Sequence, residues 1–190
     1  MKSSNELTAV LADPACLKGV EILCINDQPE LKKLPRGLCE VLKELREFVC
    51  FCNSLEEFPE SLELMKYLTK LNLHDNRLTT VPESLGQLEK LEKLFLYNNG
   101  DDGNEITTIP TSIGLCKQLS VINISGNLLS SLPDELFTGC VNLSLLNVAD
   151  NKITHLPASI SSARNLWKLN LGENKVNKAN YHKVSANVNS

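Results

Sequence analysis

Aliphatic residues recur along this chain in one fixed pattern. The clearest copy has the spacing LxxLxLxxNxLxxΦP, where Φ is an aliphatic residue or Phe, and runs from Leu68 to Pro82. Further copies, one interrupted and one truncated, start at Leu45, Leu91, Leu119, Leu143 and Leu166. Self-similarity at a fixed period is the signature of a repeat architecture, so the chain is predicted to be built from stacked copies of one unit.

One asparagine in each copy marks the repeat frame. We place these residues at Asn53, Asn76, Asn99, Asn127, Asn151 and Asn174. The successive differences are 23, 23, 28, 24 and 23 residues, so the unit has 23 residues and one repeat carries five more. A degenerate first repeat, without Asn at the frame position, runs through Val20, Leu23, Ile25, Leu31, Leu34 and Pro35. The sequence therefore predicts about seven repeats.

The spacing predicts local structure directly. The LxL alternation has the period of a short strand with its aliphatic side chains facing inward. A buried asparagine amide can pair with backbone groups left free where the chain turns, which predicts a ladder of Asn side chains. Proline then fixes φ, and apolar residues at three-residue spacing favour a short α or 3₁₀ turn. Each repeat buries its apolar face only against its neighbours.

This pattern resembles the leucine-rich-repeat family over residues 20–176. The 23-residue unit with its ΦPxxΦ segment is similar to the intracellular subtype of Ras-pathway scaffolds and Ras suppressor proteins. The resemblance implies an α/β fold, a curved right-handed coil with a parallel β-sheet on its concave face and short helical or 3₁₀ turns on its convex face. It also implies protein binding without catalysis, with a small GTPase or a signalling enzyme as the kind of partner.

Three segments are predicted. Residues 1–19 form an N-terminal helical cap, since Leu7, Val10 and Leu11 share one helical face and Asp13-Pro14 ends that helix. Residues 20–176 form the solenoid, with a polar insertion near 98–105. The insertion is expected to be a loop at the sheet edge, because its glycines do not fit the register of an EF-hand calcium loop. The polar tail, 177–190, is either disordered or folds back onto the last repeat. As a third alternative, a second molecule covers the last repeat.

Composition limits the partner and the compartment. Aromatic residues make up 5% of the 190 residues and apolar residues 42%, which predicts an aliphatic core. The net charge is −4 and Lys and Arg form no run, so nucleic-acid binding is not expected. The chain lacks an apolar run of about 18 residues, which argues against a membrane span. Seven cysteines and no secretory opening favour a reducing compartment, the cytoplasm.

The residues between and after the strand leucines should face outward on the concave side, because strand side chains alternate. On three successive strands these positions hold most of the aromatic side chains of the face. The predicted partner-binding residues are Val49, Phe51, Asn72, His74, Phe95 and Tyr97, with Glu47, Lys70 and Lys93 as rim charges. Exposed aromatic residues commonly carry interface energy. The alternative is that these rings merely fill a surface groove by packing on each other.

We expect no catalytic residue, metal site or cofactor. Cys52 beside His74 is the strongest enzymatic arrangement, but the sequence names neither an orienting group nor an oxyanion donor for it. Cys50 occupies a core position and Cys52 does not, so Cys50-Phe51-Cys52 cannot hold one zinc ion between them. Cys116 and Cys140 match apolar positions of other repeats and are expected in the core.

The predicted function is therefore an intracellular scaffold or signalling regulator that binds a partner protein on its concave face. One alternative is a substrate-recognition subunit of an enzyme complex such as a ubiquitin ligase. Another is a structural unit that assembles with itself through its C-terminal end. The sequence leaves the oligomeric state open.

Overall fold

A computed structural model describes residues 11–100 and 103–176 of the chain. Seven three-residue strands form one parallel sheet in the order β1 to β7. They are β1 Ile22–Cys24, β2 Glu47–Val49, β3 Lys70–Asn72, β4 Lys93–Phe95, β5 Val121–Asn123, β6 Leu145–Asn147 and β7 Lys168–Asn170. Each strand comes from one copy of the LxL pattern, so the predicted α/β solenoid with a single curved parallel sheet is confirmed.

Short helical turns connect successive strands on the side opposite the sheet. The 3₁₀ turns are Pro14–Leu17, Leu62–Leu64, Glu83–Gln87, Thr111–Leu115 and Ala158–Ser162, and the α-helices are α1 Leu38–Val41 and α2 Asp134–Gly139. Pro82, Pro110 and Pro157 directly precede 3₁₀ turns and hold extended backbone, with ψ of 149°, 150° and 149°. Proline thus sets the direction in which the chain turns back, as the sequence predicts.

The core lies between the sheet and these turns and is almost entirely aliphatic. The middle residue of each strand points inward, and successive strands place these residues in register; Leu71 pairs with Phe48 on one side and Leu94 on the other. All three are at most 1% exposed. Burial of one such side chain stabilises the fold by about 1.5–3 kcal/mol, but each needs the neighbouring repeats to exclude water.

A ladder of asparagine side chains joins each repeat to the one before it. Asn76 Nδ2 donates to the carbonyl oxygen of Cys50 at 2.8 Å, and Asn76 Oδ1 accepts from the backbone N–H of Leu55 at 3.0 Å. Asn127 repeats this pair of bonds with Leu96 and Ile106. Because these backbone groups have no strand partner, the amides supply the hydrogen bonds that burial would otherwise leave unmade.

The structure corrects the frame at the long repeat, where Asn104 and not Asn99 is the ladder residue. Asn104 is 1% exposed, donates to the carbonyl oxygens of Leu73 and Leu96, and accepts from the N–H of Leu78. Asn99 is exposed. The five additional residues therefore lie between β4 and the ladder, not after it. Asn104 also precedes Ile106 by two residues, as Asn76 precedes Leu78, which is the sequence signal that identifies it.

A residue with left-handed backbone follows the strand in most repeats. These residues share one frame position and have φ between 50° and 68°: Asp27, Cys52, Asp75, Gly126, Asp150 and Glu173. Asp and Gly tolerate this conformation better than other residues. Gly126 has an additional reason to lack a side chain, since a Cβ there would clash with the carbonyl oxygen of Asn98.

The two predicted terminal segments lie largely outside the described residues. The predictions for Leu7 and Val10, and for the whole tail 177–190, concern residues outside the described ranges. Within the described part, Asp13 caps the first 3₁₀ turn by accepting from the N–H of Ala15 at 3.3 Å. Leu11 packs against the core, and the predicted boundaries at 19 and 176 stay predictions.

Candidate functional site

Three aromatic rings stack in a column across β2, β3 and β4. Phe51, His74 and Tyr97 occupy the same frame position in successive repeats, so the spacing between strands sets the spacing between rings. The ring centroids of Phe51 and His74 are 4.3 Å apart, and those of His74 and Tyr97 are 4.2 Å apart. The interplanar angles are 16° and 11°. We call these three residues the aromatic column.

The column lies on the open face of the sheet, the face that carries the first and third side chains of every strand. Phe51 and Tyr97 are half-buried, while His74 is only 8% exposed because a ring covers each side of it. The sequence predicts that these rings face outward, and it leaves open that they pack on each other. The rings of this column face outward and also pack on each other. The two outer rings, and not the buried histidine, therefore offer contact area to a partner.

The other predicted site residues surround the column. Val49 is 8% exposed, whereas Phe95 and Asn72 are half-buried. Among the rim charges, Lys70 Nζ lies 3.0 Å from Glu47 Oε2, an ion pair with side chains about one third exposed. Exposed ion pairs of this kind contribute little stability. Lys93 is exposed. Phe95, Tyr97 and Phe51 therefore form the apolar part of the surface, with the charges at its border.

A shallow depression begins beside Phe95 and extends along the open face. Its volume is about 280 Å³. It is lined by Phe95, Val121, Asn123, Leu145, Leu146, Asn147, Lys168 and Asn170. Its floor combines aliphatic and amide side chains, which suits a partner's side chain with both apolar and polar parts.

His74 is held in a defined orientation. Its Nδ1 lies 2.7 Å from Asn72 Oδ1, and its backbone N–H donates to the same oxygen at 3.3 Å. Its Nε2 lies 3.8 Å from Asp75 Oδ2. Burial lowers the pKa of His74, and the Asp75 carboxylate opposes that shift only in part. Asn72 is thus an orienting group for His74, which the sequence alone does not name.

Asn72 belongs to a second set of asparagines, each two residues before the backbone N–H that it binds. Asn123 Oδ1 accepts from the N–H of Ser125 at 3.2 Å, and Asn147 Oδ1 accepts from the N–H of Ala149 at 3.2 Å. These bonds satisfy backbone donors just beyond the strand ends. Asn72 therefore has a structural role in addition to its predicted place at a binding surface.

The cysteines divide by burial. Cys50, Cys116 and Cys140 lie in the core, as predicted, and are at most 1% exposed. Burial raises the pKa of the Cys50 thiol to about 12, so this group stays protonated and unreactive at neutral pH. Cys52 is half-buried on the open face and lies close to His74 and Asp75.

The family models agree with this geometry. A model described as leucine-rich repeat matches residues 117–176, and a second with the same description matches residues 67–88. The matched segments are leucine-rich repeats. Leucine-rich-repeat proteins are in general protein-interaction modules. This chain has an open sheet face.

Solved leucine-rich-repeat structures share the fold. A leucine-rich-repeat protein of Leptospira interrogans is 29% identical with a TM-score of 0.75, over 91% of this chain and 48% of its own. An internalin of Listeria monocytogenes is 19% identical with a TM-score of 0.66, over 81% of this chain and 42% of its own. This chain thus spans about half the length of either structure. No curated protein matches the sequence.

Within residues 11–100 and 103–176, the structure contains no helix that is both long enough and apolar enough to cross a bilayer.

Proposed function

We propose that this chain binds a partner protein through the open face of β2, β3 and β4. The single observation that carries the proposal is the aromatic column, whose outer rings remain half-exposed while the ring between them is buried. Aromatic side chains on a rigid surface lose little conformational entropy on binding and carry much of the energy of protein interfaces.

The chemistry around the column favours a partner with an apolar centre and a charged border. Phe95 extends the apolar surface toward the depression of about 280 Å³. Lys93 and Lys70 place positive charge beside it, with Glu47 near Lys70. Such an arrangement suits a projecting apolar side chain of the partner that is flanked by carboxylates.

The finer interpretation is an intracellular scaffold or signalling regulator in the cytoplasm. It is supported by the likeness of the 23-residue unit to Ras-pathway scaffolds and by seven cysteines with no disulfide among those described. A small GTPase or a signalling enzyme is the partner class that this likeness favours. Substrate recognition in a ubiquitin ligase and self-assembly remain the alternatives, and the experiment below separates them.

The test is affinity capture with matched variants. The double variant Phe51→Ala/Tyr97→Ala removes both outer rings of the column. The control Ile22→Ala/Cys24→Ala removes two side chains from the same face but in β1, where both are exposed and neither lines the depression. We expect Phe51→Ala/Tyr97→Ala to capture at least tenfold less partner protein than the natural chain, and the control to capture as much as the natural chain. Circular dichroism should show that both remain folded.

The outcomes separate the proposals. Equal capture by both variants would place the binding surface elsewhere. Recovery of ubiquitin-transfer components with the natural chain would favour the substrate-recognition alternative. Sedimentation that shows a concentration-dependent mass, unaffected by Phe51→Ala/Tyr97→Ala, would favour self-assembly through another surface.

A further inference from the structure

Three metal-ligating side chains meet at the end of β2 and β3. Cys52, His74 and Asp75 each place a ligand atom within 4.8 Å of the other two. Cys52 Sγ lies 3.9 Å from Asp75 Oδ2, and His74 Nε2 lies 3.8 Å from the same oxygen. His74 is buried, while Cys52 and Asp75 are half-buried and so remain accessible to solvent.

These three donors are of the types that zinc uses in proteins. Thiolate, imidazole and carboxylate bind zinc at about 2.0–2.3 Å, which places tetrahedral ligand atoms about 3.3–3.8 Å from one another. The observed separations of 3.8 and 3.9 Å are close to this range. The Cys52 and His74 ligand atoms lie within 4.8 Å of each other, so binding requires the three ligand atoms to move closer together by up to about 1 Å.

We propose that Cys52, His74 and Asp75 form a zinc-binding site whose fourth position is open to water. Cys50 and Cys52 face opposite sides of the sheet and cannot share one zinc ion. Cys52 of one repeat instead meets His74 and Asp75 of the next repeat. The site shares His74 with the aromatic column, but the zinc proposal does not depend on partner binding.

Neighbouring hydrogen bonds already orient the ligands. With Nδ1–H donated to Asn72 Oδ1 at 2.7 Å, His74 Nε2 carries the free lone pair that a metal requires. Asp75 Oδ1 accepts from the N–H of Asn99 at 2.7 Å, and Asp75 Oδ2 accepts from Asn99 Nδ2 at 3.0 Å. Second-shell bonds of this type fix ligand orientation in metal sites. The rings of Phe51 and Tyr97 hold the imidazole plane.

The charges in this site balance with a divalent cation. Zinc with one thiolate, one carboxylate and a neutral imidazole is electrically neutral, which limits the cost of partial burial. Without the cation, burial and then the Asp75 carboxylate raise the pKa of Cys52, so the thiol is a poor nucleophile.

The backbone adds a reason to regard Cys52 as unusual. It has φ of 52° at a frame position where the other left-handed residues of the described repeats are Asp, Gly or Glu. Cysteine has no particular preference for this conformation, since its side chain lacks the local hydrogen bonds that help Asp. Cys52 thus retains a thiol next to His74 and Asp75 at a modest conformational cost.

The experiment uses the full chain, reduced and free of affinity tags, with cobalt(II) as a spectroscopic probe for zinc. We expect one equivalent of cobalt to give a thiolate-to-cobalt charge-transfer absorption, and zinc to abolish it by displacement. Cys52→Ser should remove this absorption. Cys24→Ser, an exposed cysteine on the open face of β1, should leave it unchanged. Asn72→Ala should weaken zinc binding about 10–100-fold through loss of second-shell support.

A second measurement requires no substitution and so is independent of variant folding. Native alkylation followed by mass spectrometry should modify the accessible residues Cys16, Cys24 and Cys52. Added zinc should protect Cys52 at least tenfold while Cys16 and Cys24 react as before. The proposal is overturned if the natural chain gives no charge-transfer absorption, if Cys52→Ser retains it, or if zinc leaves the alkylation of Cys52 unchanged.

Discussion

The β2–β4 and β5–β7 halves of the sheet share one interior but have different open faces. Inside, both halves stack aliphatic residues and continue the same ladder, with Asn76 in one half and Asn127 in the other. Outside, the frame position of the aromatic column holds Phe51, His74 and Tyr97 in the first half, and Ser125, Ala149 and Gly172 in the second.

This difference shows which positions the fold constrains. An interior residue must fill the space between two repeats, and a ladder residue must satisfy fixed backbone groups, so the repeat allows few alternatives. An open-face residue meets mainly solvent and its equivalents in the next strands. Chemistry that differs between the halves therefore points to function, while chemistry that they share points to stability.

The largest expected effect tests the shared ladder. Asn104→Ala and Asn127→Ala should each lower the free energy of unfolding by about 3 kcal/mol, because each leaves several buried backbone groups unpaired. Asn99→Ala should change it by less than about 0.5 kcal/mol, since Asn99 is exposed. Urea unfolding measures all three. A loss for Asn99→Ala as large as that for Asn104→Ala would contradict the corrected frame.

A smaller effect is expected where the turns of the two halves meet. A Cβ on Gly114 would lie 2.7 Å from the carbonyl oxygen of Glu135, so Gly114→Ala must shift one turn against the next. We expect a loss of about 1–3 kcal/mol. Gly100→Ala is the matched control, because a Cβ there meets no atom within 4 Å. Thermal unfolding of both variants tests this; equal stability would mean that the turns do not pack tightly.

The aromatic column should contribute less to stability than either of these. Phe51→Ala removes one ring from the stack and should cost about 1 kcal/mol, since stacked pairs contribute about 0.5–1.5 kcal/mol beyond burial. At the equivalent position of the second half, Ser125→Ala loses a hydrogen bond to Asn123 and should cost less. If Phe51→Ala proved as harmful as Asn104→Ala, the column would be part of the core and not a surface.

The smallest effect concerns pH. Burial lowers the pKa of His74 from its ordinary value of 6.5, so the folded chain binds fewer protons here than the unfolded chain. Stability should therefore fall as the pH drops below about 6.5, until the lower pKa of the folded state is passed. His74→Gln should flatten this part of the profile relative to the natural chain in urea unfolding between about pH 7.5 and 5. Parallel profiles for the two chains would show that His74 titrates equally in both states.

Much of the site could be predicted from the sequence because the repeat gives every residue a defined position relative to the strand of its own copy. The frame placed Phe51, His74 and Tyr97 on adjacent strands, and the structure brings their rings to 4.3 and 4.2 Å. The prediction of Asn99 as the ladder residue is wrong, because the insertion contains several asparagines and Asn99 alone keeps the 23-residue spacing from Asn76. Asn104 is identified only when the repeat is aligned backward from Ile106, the apolar residue two positions after it.

The sequence by itself determined the fold, because a 23-residue aliphatic period can bury its apolar face in few ways other than by stacking. Only the tertiary structure decided how side chains from adjacent repeats meet. The approach of Cys52 to His74 and Asp75, and the bond from His74 to Asn72, depend on side-chain rotamers and on the left-handed backbone at Cys52 and Asp75. Periodicity fixes which strand a residue occupies, but distances of a few ångströms between side chains are set by packing.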